Sequence, residues 1–167
     1  MANVLLGIVG IVLFVGLSLA GASYFGPLTS DAMTEARASG LIQTLSTTAK
    51  AVNVRNREQE TMTSASANTS ELAPDFLEET PVNPVTAGAV MLVTDAGVSS
   101  TGIARFVASK LPTEQAEMCS YINRQGGGSA TVPSVTTMPQ QVVGCARASS
   151  AMGAFAAGDY IAYMSIN

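Results

Sequence analysis

Val4–Phe25 reads VLLGIVGIVLFVGLSLAGASYF, a stretch without a single charged side chain. The first charged residue of the chain is Asp31. As an α-helix the stretch would rise about 33 Å at ~1.5 Å per residue, enough to cross the ~30 Å hydrocarbon core of a bilayer. A helix that is apolar on every side must be buried completely, so this segment is predicted to lie in a membrane or among partner helices.

Two simpler interpretations of this segment are a cleavable signal peptide and a plain membrane anchor. A signal peptide has a basic start and an apolar core of only about 7–15 residues, which this segment does not match. A lone anchor needs no small residues on its surface, whereas a pair such as Gly16 and Ala20 lets helices approach one another closely. The sequence therefore favours a helix that packs against copies of itself. The apolar residues predicted for its core are Val4, Leu5, Leu6, Ile8, Val9, Ile11, Val12, Leu13, Phe14, Leu17, Leu19, Tyr24 and Phe25.

The helix is predicted to continue past Pro27, whose ring and missing N–H favour a kink. An apolar stripe with a period near 3.6 residues follows and indicates an amphipathic second half. The stripe consists of Met33, Ala38, Leu41, Leu45, Ala49 and Val52. We expect one long, bent helix over residues 1–56, with residues 1–27 as its apolar half, followed by a globular head over residues 57–167. The positions predicted to break or kink the helix are Gly16, Gly21, Gly26 and Pro27.

The remainder of the chain predicts strands and one further helix. Short apolar and β-branched runs between turn residues indicate strands. They are Ala89–Thr94, Ile103–Val107, Gln141–Arg147 and Tyr160–Ile166. Thr113, followed by Glu114 and Glu117, is predicted to open a helix that ends at Asn123, because an N-cap and early acids offset the bare N–H groups. Helices and strands together indicate an α+β fold.

The composition excludes several classes of function. The chain has 167 residues, a net charge of −4 and a sequence pI near 4.6, so the basic face of a nucleic-acid-binding protein is not expected. It contains no histidine, which rules out Ser-His-Asp and Cys-His catalysis and His-ligated zinc. Two cysteines cannot build a four-thiolate site. We therefore expect no enzymatic activity, no metal and no cofactor.

The two cysteines, Cys119 and Cys145, are the most informative pair in the head. A disulfide is favoured over two unpaired buried thiols because the chain has the features of an exported protein, and oxidising compartments retain such bonds. Closing a loop of about 27 residues would stabilise the head by about 3–4 kcal/mol in the chain-entropy model. A redox-active pair is not expected, because no basic residue flanks Cys119 to lower its pKa.

The order of these features resembles a type IV pilin, and most closely a type IVb pilin. The resemblance covers essentially the whole chain. Its residues are the long N-terminal helix with Pro27, the loop LAPDFLEETPVNPVTAGAV, the segment LPTEQAEMCSYINRQ with Cys119, and Cys145 before the last strand. Members of this family pack an antiparallel sheet on the amphipathic half of the helix and enclose a surface region by a disulfide. The resemblance therefore implies an antiparallel sheet and a bounded region over Cys119–Cys145.

The resemblance also implies a function. The chain would be a major pilin that polymerises through its N-terminal helix into an extracellular filament used for adhesion, aggregation or conjugation-related contact. Its partners would be other copies of itself, the bacterial inner membrane before assembly, the pilus assembly machinery, and host cells, neighbouring cells or phage. Leu5 stands where the family usually has glutamate, so a minor pilin or a secretion-system pseudopilin remains an alternative. A second alternative is a bitopic membrane protein with a ligand-binding outer domain.

Overall fold

A computed structural model describes residues 2–59, 61–63, 69–94 and 104–166 of the chain, with side chains from Ser30 onward. It divides into two compact units, Met1–Glu35 and Ala36–Asn167, which are described separately. Helix α1 begins at Ala2 and ends at Glu58, two residues beyond the predicted end. The apolar half and the kink at Pro27 fall on residues whose side chains are not described, so both stay predictions.

The amphipathic half of α1 carries the predicted stripe. Its five members in the second unit are buried, and they are Ala38, Leu41, Leu45, Ala49 and Val52. The sixth residue of the stripe, Met33, was wrongly included, because its side chain is 63% exposed. Met33 precedes Ala36, the residue at which the unit that contains the sheet begins. The period of the sequence therefore identifies the buried face of the helix correctly but begins it too early.

The second unit has the α+β fold that the sequence predicts. After a 3₁₀ turn at Thr69–Leu72, five strands and one more helix follow within the described residues. The strands are β1 (Met91–Val93), β2 (Phe106–Leu111), β3 (Ser134–Val135), β4 (Val143–Ala148) and β5 (Tyr160–Ser165), and the helix is α2 (Ala116–Gln125). They form one sheet in the order β1-β2-β5-β4-β3.

The sheet is mixed, so the predicted antiparallel sheet is a correct description of four strands only. Strand β3 runs parallel to β4, with Ser134 beside Arg147 and Val135 beside Ala148. For β3 to run parallel to β4, the connection 136–142 must lead back from one end of β4 to the other. That distance is about 17 Å at ~3.3 Å per residue, which an extended segment of this size can cover. Polar residues dominate around β3, so no apolar run in the sequence indicated this strand.

Strand β2 lies further along the chain than predicted. The sequence placed it at Ile103–Val107, whereas the structure has it at Phe106–Leu111. The exposed Lys110 and the polar Ser109 hid the second half of the strand from a hydrophobic pattern. Ser109 is nevertheless buried, because its Oγ accepts a hydrogen bond from Asn83 Nδ2 at 2.9 Å. A hydrogen-bonded polar residue can occupy the core where an apolar one would be expected.

The start of the second helix also differs from the prediction. Thr113–Gln115 form a 3₁₀ turn, in which the Gln115 N–H donates to the Pro112 carbonyl, and α2 begins only at Ala116. The predicted cap, Thr113, therefore lies one turn before the α-helix itself. A 3₁₀ turn ahead of a helix is a common way to satisfy early N–H groups without a side-chain cap.

The two faces of the sheet bury two separate clusters. The helix-side cluster lies against α1 and α2 and includes Leu41, Leu45, Val107, Met118 and Ile122. The loop-side cluster lies on the other face, where the segments 136–142 and 149–159 cover the sheet with Met138, Met152 and Phe155. Alternation along β4 sends Cys145 to the helix side and Ala146 to the loop side.

Candidate functional site

A groove runs along one flank of α1 in the second unit. Its eight lining residues are Thr47, Lys50, Ala51, Val54, Glu58, Asp75, Phe76 and Leu77, and it encloses about 470 Å³; we call it the α1 groove. Val54 is 46% exposed there, although it is one of the larger apolar side chains of the helix. Phe76 and Leu77 are half-buried against the helix-side cluster. The groove therefore offers apolar surface next to a well-packed core.

The loop that forms the second wall of the α1 groove is fixed to the helix. The N–H groups of Phe76 and Leu77 both donate to the carbonyl of the buried Leu72, each at 2.9 Å. The preceding turn is tied down by an ion pair of 3.0 Å between Arg55 and Glu71. The α1 groove is thus a preformed surface of the head.

The charges around the α1 groove have both signs. Lys50, Glu58 and Asp75 line it, and all three residues are exposed. Their charged ends can meet opposite charges on another molecule. Such contacts contribute more to the orientation of the bound molecule than to the affinity of binding. An apolar centre with a charged rim is the general composition of a protein–protein interface. The arrangement is suited to binding a protein surface.

The disulfide predicted between Cys119 and Cys145 is present. It joins the middle of α2 to β4, and the two Cα atoms lie 5.2 Å apart. The two cysteines are completely buried in the helix-side cluster. The disulfide therefore joins the two ends of the bounded region, residues 120–144, inside the core, as the sequence predicts.

The end of α2 is attached to α1 as well as to the sheet. Gln125 Nε2 donates to Ser39 Oγ at 2.9 Å, which joins the last residue of α2 to the second half of α1. On the exposed side of α2, the guanidinium of Arg124 lies 4.4 Å from the centre of the Tyr121 ring. The cation–π contact holds an aromatic and a positive charge together at the surface of the bounded region.

A second groove lies at the β1 edge of the loop-side face. It encloses about 410 Å³ and is lined by Thr86, Gly88, Ala89, Met91, Ser109, Lys110, Pro112 and Ala154. Its one charged residue, Lys110, is paired with Asp159 at 2.8 Å. Among its described lining residues, the groove therefore presents mostly apolar surface, and their one positive charge is compensated.

The residues that line the two grooves have no recognisable pattern in the sequence. Asp75, Phe76 and Leu77 stand in a proline-containing loop without periodicity, and only the fold brings them beside Val54. Asn83 and Asn123, two buried amides that organise the head, were missed for a different reason. A buried asparagine has no sequence signal, because asparagine is more often a surface or turn residue.

Several predicted features fall on residues whose side chains are not described. The filament-core residues within Val4–Phe25 and the break positions Gly16, Gly21, Gly26 and Pro27 have no described side chains. Among residues with described side chains, we find no helix that is both apolar enough and long enough for a membrane span. Within the same residues, no three His, Cys, Asp or Glu side chains come together in a way that could hold a metal ion.

Comparison with known proteins assigns no family to the chain. No protein-family model, no curated protein and no solved structure matches it. The features of this chain that bear on its function are therefore α1, the α1 groove and the disulfide-bounded region.

Proposed function

We propose that the chain is a structural subunit, the major pilin, of a bacterial type IVb pilus. The observation that carries the proposal is a difference along α1. The core of the head uses Ala38–Val52 of this helix, whereas Val4–Phe25 of the same helix carries no charge. Since the head has its own core, the uncharged segment is available for a membrane and then for other copies of the chain.

Burial energetics give the assembly its driving force. Exposing a large apolar side chain to water costs about 1.5–3 kcal/mol, and Val4–Phe25 contains many of them. Before assembly the segment rests in the inner membrane, and the assembly machinery transfers it into a bundle of identical helices. A head-to-tail contact that does not close on itself then produces an open helical filament outside the cell. The filament would mediate adhesion, aggregation or conjugation-related contact.

The α1 groove is the part of the head that we assign to contact with a second copy. Its apolar residues, Val54 and Phe76, gain from losing contact with water, and its exposed charges of both signs can pair with those of an identical molecule. The contact is heterologous, because a filament repeats one contact between two different surfaces of the same chain.

The first test places a charge in the apolar segment. We expect Leu13→Glu to abolish filaments, because a carboxylate at the centre of a helix bundle or bilayer is costly. Gln43→Glu adds the same charge at an exposed position of α1 and should leave filaments unchanged. Electron microscopy of sheared surface material, with mass spectrometry of its main band, measures assembly. The amount of each variant in the membrane fraction separates failed insertion from failed assembly.

Filaments of normal number and shape from Leu13→Glu would contradict the proposal. So would a wild-type chain that gives monomers on detergent extraction and no filament in the sheared material. That second result would favour the bitopic membrane protein with a ligand-binding outer domain.

The second test addresses the α1 groove by itself. Val54→Glu should reduce the amount of filament at least several-fold while the head stays folded, because Val54 is 46% exposed and lies outside the core. Val142→Glu is the matched control, since this valine is also exposed, at 60%, and is not among the groove residues. Equal amounts of filament from both variants would exclude the groove as an interface.

A low-copy role is the second candidate function, and Leu5 is the residue that favours it. The family to which the chain is similar usually has an acidic residue at this position, where it is thought to meet the N-terminal amine of a neighbouring subunit. A minor pilin or pseudopilin needs no such repeated contact. The copy number of the chain in purified filaments decides, because a major subunit must be the main component.

A further inference from the structure

Asn123 binds both backbone polar groups of Cys145. Its Nδ2 donates to the Cys145 carbonyl at 3.0 Å, and its Oδ1 accepts from the Cys145 N–H at 2.6 Å. Only 4% of Asn123 is exposed, so water does not compete for these bonds. The side-chain amide thus pairs with β4 in the way that a neighbouring strand would.

This pairing occupies a gap in the sheet. Cys145 lies opposite Ala162 of β5, and β3 pairs only with Arg147 and Ala148 further along β4. Since the Cys145 N–H bonds to Asn123, it points to the edge of β4 that faces away from β5. Among the described residues, no strand reaches that edge at Cys145. Asn123 therefore supplies the partner that the short β3 does not.

The position of Asn123 relative to the disulfide is determined by the helix. Asn123 follows Cys119 by four residues on α2, so the two side chains lie on one face of the helix, one turn apart. Both are joined to the same residue, Cys145. About one turn after Asn123, the backbone at Gly126 also lies close to β4. A Cβ added at Gly126 would be 2.6 Å from the Val143 carbonyl oxygen.

We propose that Asn123 is a positioning residue for formation of the Cys119–Cys145 disulfide. In the dithiol form, the amide holds Cys145 on α2, so the two thiols are next to each other before they are oxidised. The disulfide then makes permanent a contact that hydrogen bonds have already established. Without Asn123, its two hydrogen bonds would not hold Cys145 against α2 in the dithiol form. The two sulfur atoms would then have to meet by chance.

The oxidation can be written with glutathione disulfide as the oxidant. The thiolate of one cysteine attacks the glutathione disulfide, a mixed disulfide forms, and one glutathione thiolate leaves. The thiolate of the other cysteine then attacks the protein sulfur and displaces the second glutathione. Two electrons pass to the glutathione disulfide, and the two thiol protons of the protein end on two glutathione molecules. Asn123 takes no chemical part in this exchange. It favours the second step by holding Cys145 close to Cys119.

The test equilibrates the full-length chain in mixtures of glutathione and glutathione disulfide. The ratio of oxidised to reduced protein gives the effective concentration of one thiol at the other. We expect Asn123→Ala to lower this effective concentration about ten-fold or more, because two buried hydrogen bonds that hold the reduced form together are lost. A merely structural residue would lower the stability of both redox forms and leave the effective concentration unchanged.

Asn83→Ala is the matched control. Asn83 is as deeply buried, and its amide also bonds to backbone, donating to the Lys110 carbonyl at 3.0 Å and accepting from the Val85 N–H at 2.8 Å. It touches neither α2 nor the cysteines in these bonds, so its loss should change the effective concentration less than two-fold. An equal effect of the two variants, or no effect of Asn123→Ala, would overturn the proposal.

A second measurement keeps Asn123 in place, in case Asn123→Ala does not fold. In a chain that carries Cys119→Ala and Cys145→Ala, we expect the backbone N–H of residue 145 to exchange with deuterium at least about 100-fold more slowly than in an unstructured peptide. Asn123 would then be the hydrogen-bond partner behind the protection, since no strand among the described residues covers this N–H. Exchange at the rate of an unstructured peptide, in a head that is otherwise protected, would show that the disulfide creates the contact and would overturn the proposal.

Discussion

The two faces of the sheet are covered in different ways. On the helix side, α1 and α2 present long, completely buried side chains such as Leu45 and Ile122. On the loop side, the cover consists of two segments without helix, in which Met138, Met152 and Phe155 supply the buried side chains. One cover is held by continuous backbone hydrogen bonds within helices, the other by turn bonds, such as the pair between Met152 and Phe155, together with a few buried side chains.

The two covers differ in how far they can adapt to a lost side chain. A helix moves as a unit, so a cavity beneath it stays largely open, whereas a loop can settle into a cavity and recover part of the lost contact. We therefore expect similar deletions to cost more free energy on the helix side than on the loop side.

Leu45→Ala should produce the largest loss of stability. Leu45 is a completely buried residue of α1, and we expect the free energy of unfolding to fall by about 3–5 kcal/mol, in the upper part of the range for such deletions. Guanidinium unfolding of the full chain measures the change. Gln43→Ala, at an exposed position of the same helix, should change it by less than about 0.5 kcal/mol. A loss below that of the next variant would reverse the comparison.

Phe155→Ala should cost less, although it removes a larger side chain. Phe155 is completely buried, but it belongs to the segment 149–159, which contains no helix, and we expect this segment to settle partly into the space that the ring leaves. We expect a loss of about 2–3 kcal/mol, below the ~3–5 kcal/mol that is typical of this substitution in a rigid core. The same unfolding experiment applies, with the exposed Val142→Ala as control. A loss of about 3–5 kcal/mol or more would mean that the loop cover is as rigid as the helices.

Gly144→Ala tests the packing of the sheet under the loop cover. A Cβ at this position would lie 2.5 Å from the Tyr163 hydroxyl oxygen and 3.1 Å from Gln141 Oε1. Since the Tyr163 ring is completely buried, it cannot simply turn away, and we expect a loss of about 1–3 kcal/mol. In a Tyr163→Phe background the closest of these contacts disappears, and the cost of the same substitution should fall by about half. An undiminished cost there would assign the effect to the ring itself, whose Cζ would lie 2.9 Å from the added Cβ, and not to the hydroxyl.

Tyr163→Phe should have the smallest effect, and one that depends on pH. Burial raises the pKa of Tyr163 to about 12, from 10.0 in the unfolded chain. Between these two values the unfolded state releases the proton first, so the wild-type protein loses stability as the pH rises from about 10 to about 12. Phenylalanine has no proton to lose, so the variant should lose about 1–2 kcal/mol less across this interval. Parallel alkaline unfolding curves would contradict the role of burial.

The helix side was predictable from the sequence and the loop side was not. Leu41, Leu45 and Val52 repeat with the period of a helix, and a repeated pattern over several turns outweighs single exceptions such as Met33. Met138 and Phe155 stand alone in polar or small-residue segments, where one apolar residue does not predict burial. The fold decides their role by placing them over the sheet.

The candidate site was also predictable from the sequence only in part. Cys119 and Cys145 were paired correctly, because two cysteines in one head leave a single intramolecular connection. The α1 groove and Asn123 depend on contacts between distant parts of the chain, such as Phe76 beside Val54 and Asn123 beside Cys145. Local propensity contains no information about these contacts, and the parallel β3 was missed for the same reason.

The order of the strands has a consequence for biosynthesis. Strand β5 lies between β2 and β4, and each of these two strands is paired with it along almost its whole length. A ribosome that has made only the residues before Tyr160 has therefore produced two halves of a sheet with no strand to join them. The head can complete its core only after translation has passed Ser165. In a nascent chain stalled earlier, the core residues that pack against Ile161 would be exposed to proteases and chaperones.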